Sequence, residues 1–236
     1  EDLPIEIESP VATSIAPSLV SAAVSSELGL LRVPEVWQTG LNGTGRLVCN
    51  FDTGVEGTHP ALSAKWRGNH ASVHASWFCP MQPLSQPFDN AGHGTHTMGT
   101  MIGSAIGDSF GVAPGAEWIA AGVVDQGADL NTTFSHILSA FEWALNPDDD
   151  PLTTDDVPDV ILNSWGVPTI QPSVIAPCSS LFWQAIDNVE AAGVVVIFAA
   201  GNEGKLGPAT GEIEHGDFRS FDDFWKADSP ELEEAT

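Results

Sequence analysis

His93 stands between two glycines in the stretch Asn90-Ala91-Gly92-His93-Gly94-Thr95-His96-Thr97-Met98-Gly99-Thr100-Met101-Ile102-Gly103. Neighbours without side chains let backbone or substrate come close to the imidazole, which can take up and return a proton near neutral pH. Such a base needs a partner that fixes its tautomer. Asp52-Thr53-Gly54 supplies one upstream, because a carboxylate at the end of an apolar strand can accept the Nδ1 proton of His93. Alone, Asp52 reads as a turn-capping residue before Gly, and His93 as a buried core histidine. Together they read as a base and its orienter. Asn202, in Gly201-Asn202-Glu203-Gly204, offers the side-chain amide donor that a developing oxyanion needs, although an ordinary Gly-Asn turn has the same residues. His93 and His96, three apart, can share a helical face, but two imidazoles without an acid or Cys on the same segment make a weak metal pattern.

These groups need elements to hold them. Residues 46–51 read as a buried strand ending on Asp52, 93–106 as a helix, 117–124 as a strand and 133–146 as an amphipathic helix. Val160–Asn163 reads as a short strand, 180–192 as a helix capped by Gly193, and 194–200 as a strand apolar on both faces. Gly99 and Gly103, four apart, are expected to press one flank of the first helix against a neighbour; close packing would offset the roughly 1 kcal/mol that each helical Gly costs relative to Ala. Apolar strands alternating with helices imply an α/β fold, with a mostly parallel sheet covered by helices on both faces. In such sheets ligands bind beyond the carboxyl ends of the strands, where Asp52, Ser164 and Asn202 all fall.

The chain has 236 residues, 42% of them hydrophobic, with 23 Gly and 17 Pro, enough to bury a full core. No apolar run approaches the roughly 20 residues that span a bilayer. Seven Lys and Arg against 32 Asp and Glu leave a net charge of −25, which argues against nucleic acid as a partner. Cys49, Cys79 and Cys178 are too few and scattered for a disulfide framework. Residues 1–30 read as a leader or the remnant of a pro-segment, and 205–236 as an acidic, divergent tail.

Four motifs, taken in order, carry a resemblance. Asp52-Thr53-Gly54, His93-Gly94-Thr95-His96, Asn163-Ser164-Trp165-Gly166 and Ala199-Ala200-Gly201-Asn202-Glu203-Gly204 resemble the signatures of the subtilisin-like serine peptidases. The Asn-Ser-Trp-Gly form, the Met-containing helix after His93 and the acidic loop before Asp159 resemble the bacillopeptidase F branch most. The resemblance covers about residues 33–204, so that 31–204 would be the N-terminal two-thirds of a peptidase domain, incomplete at its C-terminus. It implies that Asp52 and His93 are catalytic and that Asn202 serves the oxyanion hole. It also implies that Ser164, Trp165, Gly166, Ala200 and Gly201 line the substrate, with an extended peptide adding to the sheet as a strand. By the same resemblance the protein is a secreted monomer acting on polypeptides, needing no cofactor for its chemistry. A structural calcium ion is common in the family, and Asp148-Asp149-Asp150 with Asp155-Asp156 forms an acidic loop, though without EF-hand spacing.

The family takes its nucleophile from a Gly-Thr-Ser-Met-Ala type motif several dozen residues after the oxyanion Asn. Here Asn202 is followed only by Ser220 and Ser229, neither in such a motif, so the 236 residues are expected not to cleave peptides by the serine mechanism. A non-catalytic, peptide-binding relative and a metal-dependent hydrolase using His93 and His96 are the competing expectations. The charge makes a prediction independent of all three: screening of self-repulsion should raise the thermal midpoint steadily from low to molar NaCl. A flat or falling series would remove repulsion as a factor in stability.

Overall fold

Strands that must be apolar on both faces belong in the middle of a parallel sheet, and the Asp52 strand lies there. The computed structural model describes residues 6–7, 26–83, 85–105, 108–166 and 181–199. Its strands are β1 (Glu6–Ile7), β2 (Leu47–Asp52), β3 (Trp77–Phe78), β4 (Ser104–Ala105), β5 (Asp108–Ser109), β6 (Glu117–Gly122), β7 (Val160–Asn163), β8 (Trp165–Gly166) and β9 (Val195–Phe198). Its α-helices are α1 (Ser26–Leu30), α2 (Val33–Gln38), α3 (His93–Ile102), α4 (Leu130–Ala144) and α5 (Leu181–Ala191). The main sheet runs β3-β6-β2-β7-β9, and every pairing in it is parallel. All six residues of β2 are buried.

Side chains alternate across β2 as the pleat requires. Leu47, Cys49 and Phe51 join Ile137 and Phe141 of α4 and Trp183, Ile186 and Val189 of α5 in one core. On the other face Val48 joins Trp118, Leu62 and Trp66, with Met98 and Ile102 of α3. The period of two therefore sends Asn50 and Asp52 toward α3 along with Val48. Parallel register brings Asp52 level with Gly122 of β6, and Phe51 level with Asn163 of β7, so the strand ends share one edge. The expected α/β architecture, with helices on both faces of a mostly parallel sheet, is the one observed.

Several boundaries differ from the sequence expectation. Helix α3 stops at Ile102 rather than 106, because Gly103 turns out of the helix and Ser104–Ala105 pairs antiparallel with Asp108–Ser109. Lys65 closes that end, its Nζ donating to the Ile102 carbonyl and to Ser104 Oγ at 2.6 Å, with the charge placed where a helix C-terminus favours it. The expected flank of close-packed glycines is only half present. A Cβ at Gly103 would sit 2.2 Å from the Phe110 ring, whereas one at Gly99 would meet nothing within 4 Å among the described residues. Strand β9 is a sheet edge among the described residues, with Val195 55% and Ile197 44% exposed, so it is not covered on both faces there. Cys49 and Cys79 are free thiols buried in opposite cores, where burial pushes both pKa values up; Cys178 lies outside the described residues. Among the described residues no helix is long and apolar enough to cross a membrane.

Helix α4 begins three residues earlier than its apolar period suggests. Asp129 is its N-cap, accepting from Thr132 N at 3.0 Å and from Thr132 Oγ1 at 2.8 Å. Those bonds hold the Asp129 carboxyl below the usual carboxylate range. A depressed folded-state pKa contributes stability above the unfolded pKa, and that stability is lost as pH falls through the folded value. Asp129→Ala should therefore lower the thermal midpoint by about 2–4 °C at neutral pH. The gap between the two proteins should close in acid; a gap that persists below the carboxylate range would show that the charged cap is not its source.

Candidate active site

The last residue of β2 and the first residue of α3 meet at the carboxyl edge of the sheet. The Asp52 side chain is fully buried and its Oδ1 lies 2.7 Å from His93 Nδ1, whose side chain is 6% exposed. Asp52 Oδ1 also accepts from Thr53 N at 2.7 Å. This closeness depends on glycine. A Cβ at Gly94 would stand 2.0 Å from the Gly54 carbonyl oxygen and 2.9 Å from Asp52 Cβ. Gly54 itself has φ 119°, and a Cβ there would stand 2.1 Å from the Phe88 carbonyl oxygen. A side chain at Gly94 would push the helix from the strand and lengthen the Asp52–His93 bond, and one at Gly54 would push away the loop at Phe88.

Three residues that carry this geometry were not singled out from the sequence. Asp89 is the first. Its Oδ1 accepts from Thr53 Oγ1 at 2.8 Å, Ala91 N at 3.1 Å and Gly92 N at 2.9 Å. Its Oδ2 accepts from Thr95 N at 2.8 Å and Thr95 Oγ1 at 2.7 Å. Gly92, at the N-cap of α3, has no side chain to satisfy the first turn, and Asp89 does so from outside the helix. Thr53 Oγ1 in turn accepts from Gly94 N at 3.0 Å, so one carboxylate joins the turn after Asp52 to the helix that carries His93. The available signal was an Asp three residues before the glycine that opens the helix.

Asn50 and Thr97 are the others. Thr97 Oγ1 lies 3.1 Å from Asp52 Oδ2 and 3.1 Å from the Gly94 carbonyl oxygen. Asn50 Nδ2 donates to Thr97 Oγ1 at 2.9 Å and to the Gly94 carbonyl at 3.0 Å.

Past β7, Ser164 is half-buried and Trp165 is buried, with its Nε1 donating to the Phe51 carbonyl at 3.0 Å. The Trp165 ring meets Phe182 and Phe198 edge-on. Its backbone pairs with the chain's own β1: Ile7 lies opposite Trp165 and Glu6 opposite Gly166, antiparallel. Ala200, Gly201 and Asn202 lie outside the described residues. The two-histidine metal pattern does not assemble, since His93 Nδ1 faces Asp52 and His96 is exposed on α3. Among the described residues no group of three or more His, Cys, Asp or Glu could hold a metal ion. The acidic loop spends its carboxylates locally: Asp148 on Asp150 N and Thr153 Oγ1, Asp156 on Asp148 N, and Asp155 on Arg67. It does not have the form of a calcium cage.

The family model described as Subtilase family (Peptidase S8) matches residues 43–224. The chain belongs to the subtilase family. The match runs past Gly204, where the recognised motifs end. The expected likeness to the bacillopeptidase F branch is matched by Bacillopeptidase F of Bacillus subtilis (strain 168), 41% identical over 143 residues, 56% of this chain and 10% of that protein. Subtilisin BL of Lederbergia lenta is 34% identical over 186 residues, 77% of this chain and 58% of that protein. This subtilase chain thus spans between a tenth and three-fifths of the length of these relatives. The crystal structure of MycP1 with the N-terminal propeptide removed shares the fold, with a TM-score of 0.51 over 75% of this chain and 49% of that one, at 20% identity.

Asp89 generates the prediction of this site. Replacing it by Ala strands the Thr95 amide in the first turn of α3, the Ala91 and Gly92 amides before it and the Thr53 hydroxyl together, and should cost about 3 kcal/mol in urea unfolding. Asp89→Asn keeps an acceptor for only one of the two clusters and should recover only part of that loss. Equal costs for the two variants would mean that the carboxylate's bonds are not what joins strand and helix.

Proposed function

We propose that this subtilase chain carries the base and orienting carboxylate of a serine-type endopeptidase. The 2.7 Å bond from His93 Nδ1 to a buried Asp52 carboxylate is the observation that supports this reading. With Nδ1 held as the protonated nitrogen, Nε2 is the basic one and can accept the proton of an attacking serine hydroxyl. The hydroxyl oxygen bonds to the scissile carbonyl carbon, the carbonyl electrons move onto oxygen, and the imidazolium formed beside Asp52 later returns the proton to the leaving amine. Asn202, one of the residues outside the described part of the chain, is proposed as a donor to that oxyanion, from its place in the family motif.

Polypeptides are the proposed substrates. The pairing of Glu6–Ile7 with Trp165–Gly166 supports this, because it gives an instance of an extended segment adding as a strand to the edge assigned to substrate. Ser164, Trp165, Gly166, Ala200 and Gly201 are proposed as its lining. A secreted location and a monomeric state complete the proposal, and the chemistry as written draws on no cofactor.

No Gly-Thr-Ser motif occurs in the 236 residues; the serines after Asn202 stand in Arg219-Ser220-Phe221 and Asp228-Ser229-Pro230. The residues in hand are therefore proposed to orient and to take up a proton, without cleaving peptides by themselves. A fluorophosphonate probe should leave the purified 236-residue chain unlabelled. If an in-frame Gly-Thr-Ser motif follows Thr236 in the coding sequence, the extended chain should label, and His93→Ala should abolish the labelling. Stoichiometric labelling of the 236 residues at any serine would overturn the assignment.

A further inference from the structure

Asn50 is 1% exposed on a central strand, two residues before Asp52 and on the same face of the sheet. A buried amide at such a place needs partners, and the Gly94 carbonyl decides how it is turned, because a carbonyl can only accept. Nδ2 must face Gly94; the reverse orientation would set two acceptors 3.0 Å apart. Asn50 Oδ1 is then the atom left without a partner among the described residues.

The same orientation dictates the proton of Thr97. Its hydroxyl accepts from Asn50 Nδ2 at 2.9 Å, so its single hydrogen points elsewhere, with two acceptors at 3.1 Å. One is the Gly94 carbonyl, a neutral group already bonded to Asn50. The other is Asp52 Oδ2, a carboxylate oxygen of a fully buried side chain. A charged acceptor makes the stronger bond, so the hydrogen goes to Asp52. The Asp52 carboxylate then meets Thr53 N and His93 on one oxygen and Thr97 on the other.

We propose that Asn50 and Thr97 are positioning residues for the proton-accepting pair: Asn50 orients the Thr97 hydroxyl onto Asp52 Oδ2, which fixes the carboxylate plane and tempers the charge presented to His93. Neither residue touches the reacting atoms. This inference rests on the proposed roles of Asp52 and His93, but not on the presence of a nucleophile. Other titratable groups on the elements around the pair are His96 on α3 and Glu56 and Asp89 on the flanking loops. Asp89 is committed to Thr53, Ala91, Gly92 and Thr95, and Glu56 to Thr58.

The test follows the His93 ring by NMR in the full 236-residue chain with isotope-labelled histidine, recording its titration and the downfield Nδ1 proton. Removing the Thr97 donor makes the carboxylate more basic and the imidazolium more favoured. Thr97→Val should therefore move the His93 titration upward by about one pH unit, while Thr97→Ser stays at the wild-type value. Asn50→Val should move it in the same direction by a smaller amount, because the Gly94 carbonyl, relieved of its Asn50 bond, then competes for the Thr97 hydrogen. The double variant should match Thr97→Val alone, since the two act through one hydrogen bond. Where Thr97→Val does not melt cooperatively, Thr97→Ala makes the same comparison. An unmoved or downward titration in the Thr97 variant, or additive shifts in the double variant, overturns the relay. A wild-type chain with no downfield Nδ1 proton, and His93 titrating like a solvent-exposed histidine, overturns the Asp52–His93 pair and the relay with it.

Discussion

A carboxylate buried at the end of a central strand has to be met by donors from the protein, since water no longer solvates it. Asp52 imposes that constraint on everything around it. Its nearest donors come from the following turn and from a helix that starts more than forty residues later, at His93 and Thr97. The helix can approach only because position 94 has no Cβ, and it begins there with Asp89 and the Thr53 hydroxyl satisfying the Thr95 and Gly94 amides that Gly92 leaves open. Charge burial, backbone approach and helix capping are thus solved at one junction, and the basic nitrogen of His93 is a by-product of the solution.

Two of the described cations, Arg67 and Arg46, sit at comparable junctions. Arg67, with 14% of its side chain exposed, reaches Glu117 at the start of β6 and Asp155 in the acidic loop. Arg46 pairs with Asp159 as β2 begins, while the other Asp159 oxygen accepts from Leu47 N. Exposed ion pairs contribute little, and the Arg46 pair falls in that class. The half-buried arrangement at Arg67 does more, because it ties a loop of like charges to the sheet. The repulsion of an acidic surface is therefore met at loop ends.

What could be read from the sequence follows from how local its cause is. The apolar patterns of β2, α4 and α5 are each complete within one element, so the sheet and its covering helices were legible; Asp52 and His93, 41 residues apart, were legible because each stands in a short motif of its own, Asp52-Thr53-Gly54 and Gly92-His93-Gly94. Asp89, Asn50 and Thr97 were not. The partners that give them their role, Thr53 for Asp89 and Asp52 and Asn50 for Thr97, lie 36 to 47 residues away, and Asp, Asn and Thr are ordinary loop and helix-surface residues until the fold brings those partners in. Strand β3 was hidden for another reason: two residues, Trp77 and Phe78, are too short to show a period. The end of α3 was misjudged because Ile106 continues the apolar pattern, whereas Gly103 stops the backbone. Position 99 is instructive in the opposite sense, since a small residue in a helix implied a close neighbour that is not found among the described residues.

The strand order separates the site into parts with different lifetimes. β2 is bonded on both sides, to β6 and to β7, and its six residues are buried, so its amides should exchange with solvent only when the whole domain opens. β8 is outside the main sheet and is paired only with two residues of β1 among the described strands. Its amides belong with the fast-exchanging periphery. The edge next to Trp165 should then fray and re-form while the Asp52 strand stays closed, because β2 is held from both sides in the middle of the main sheet.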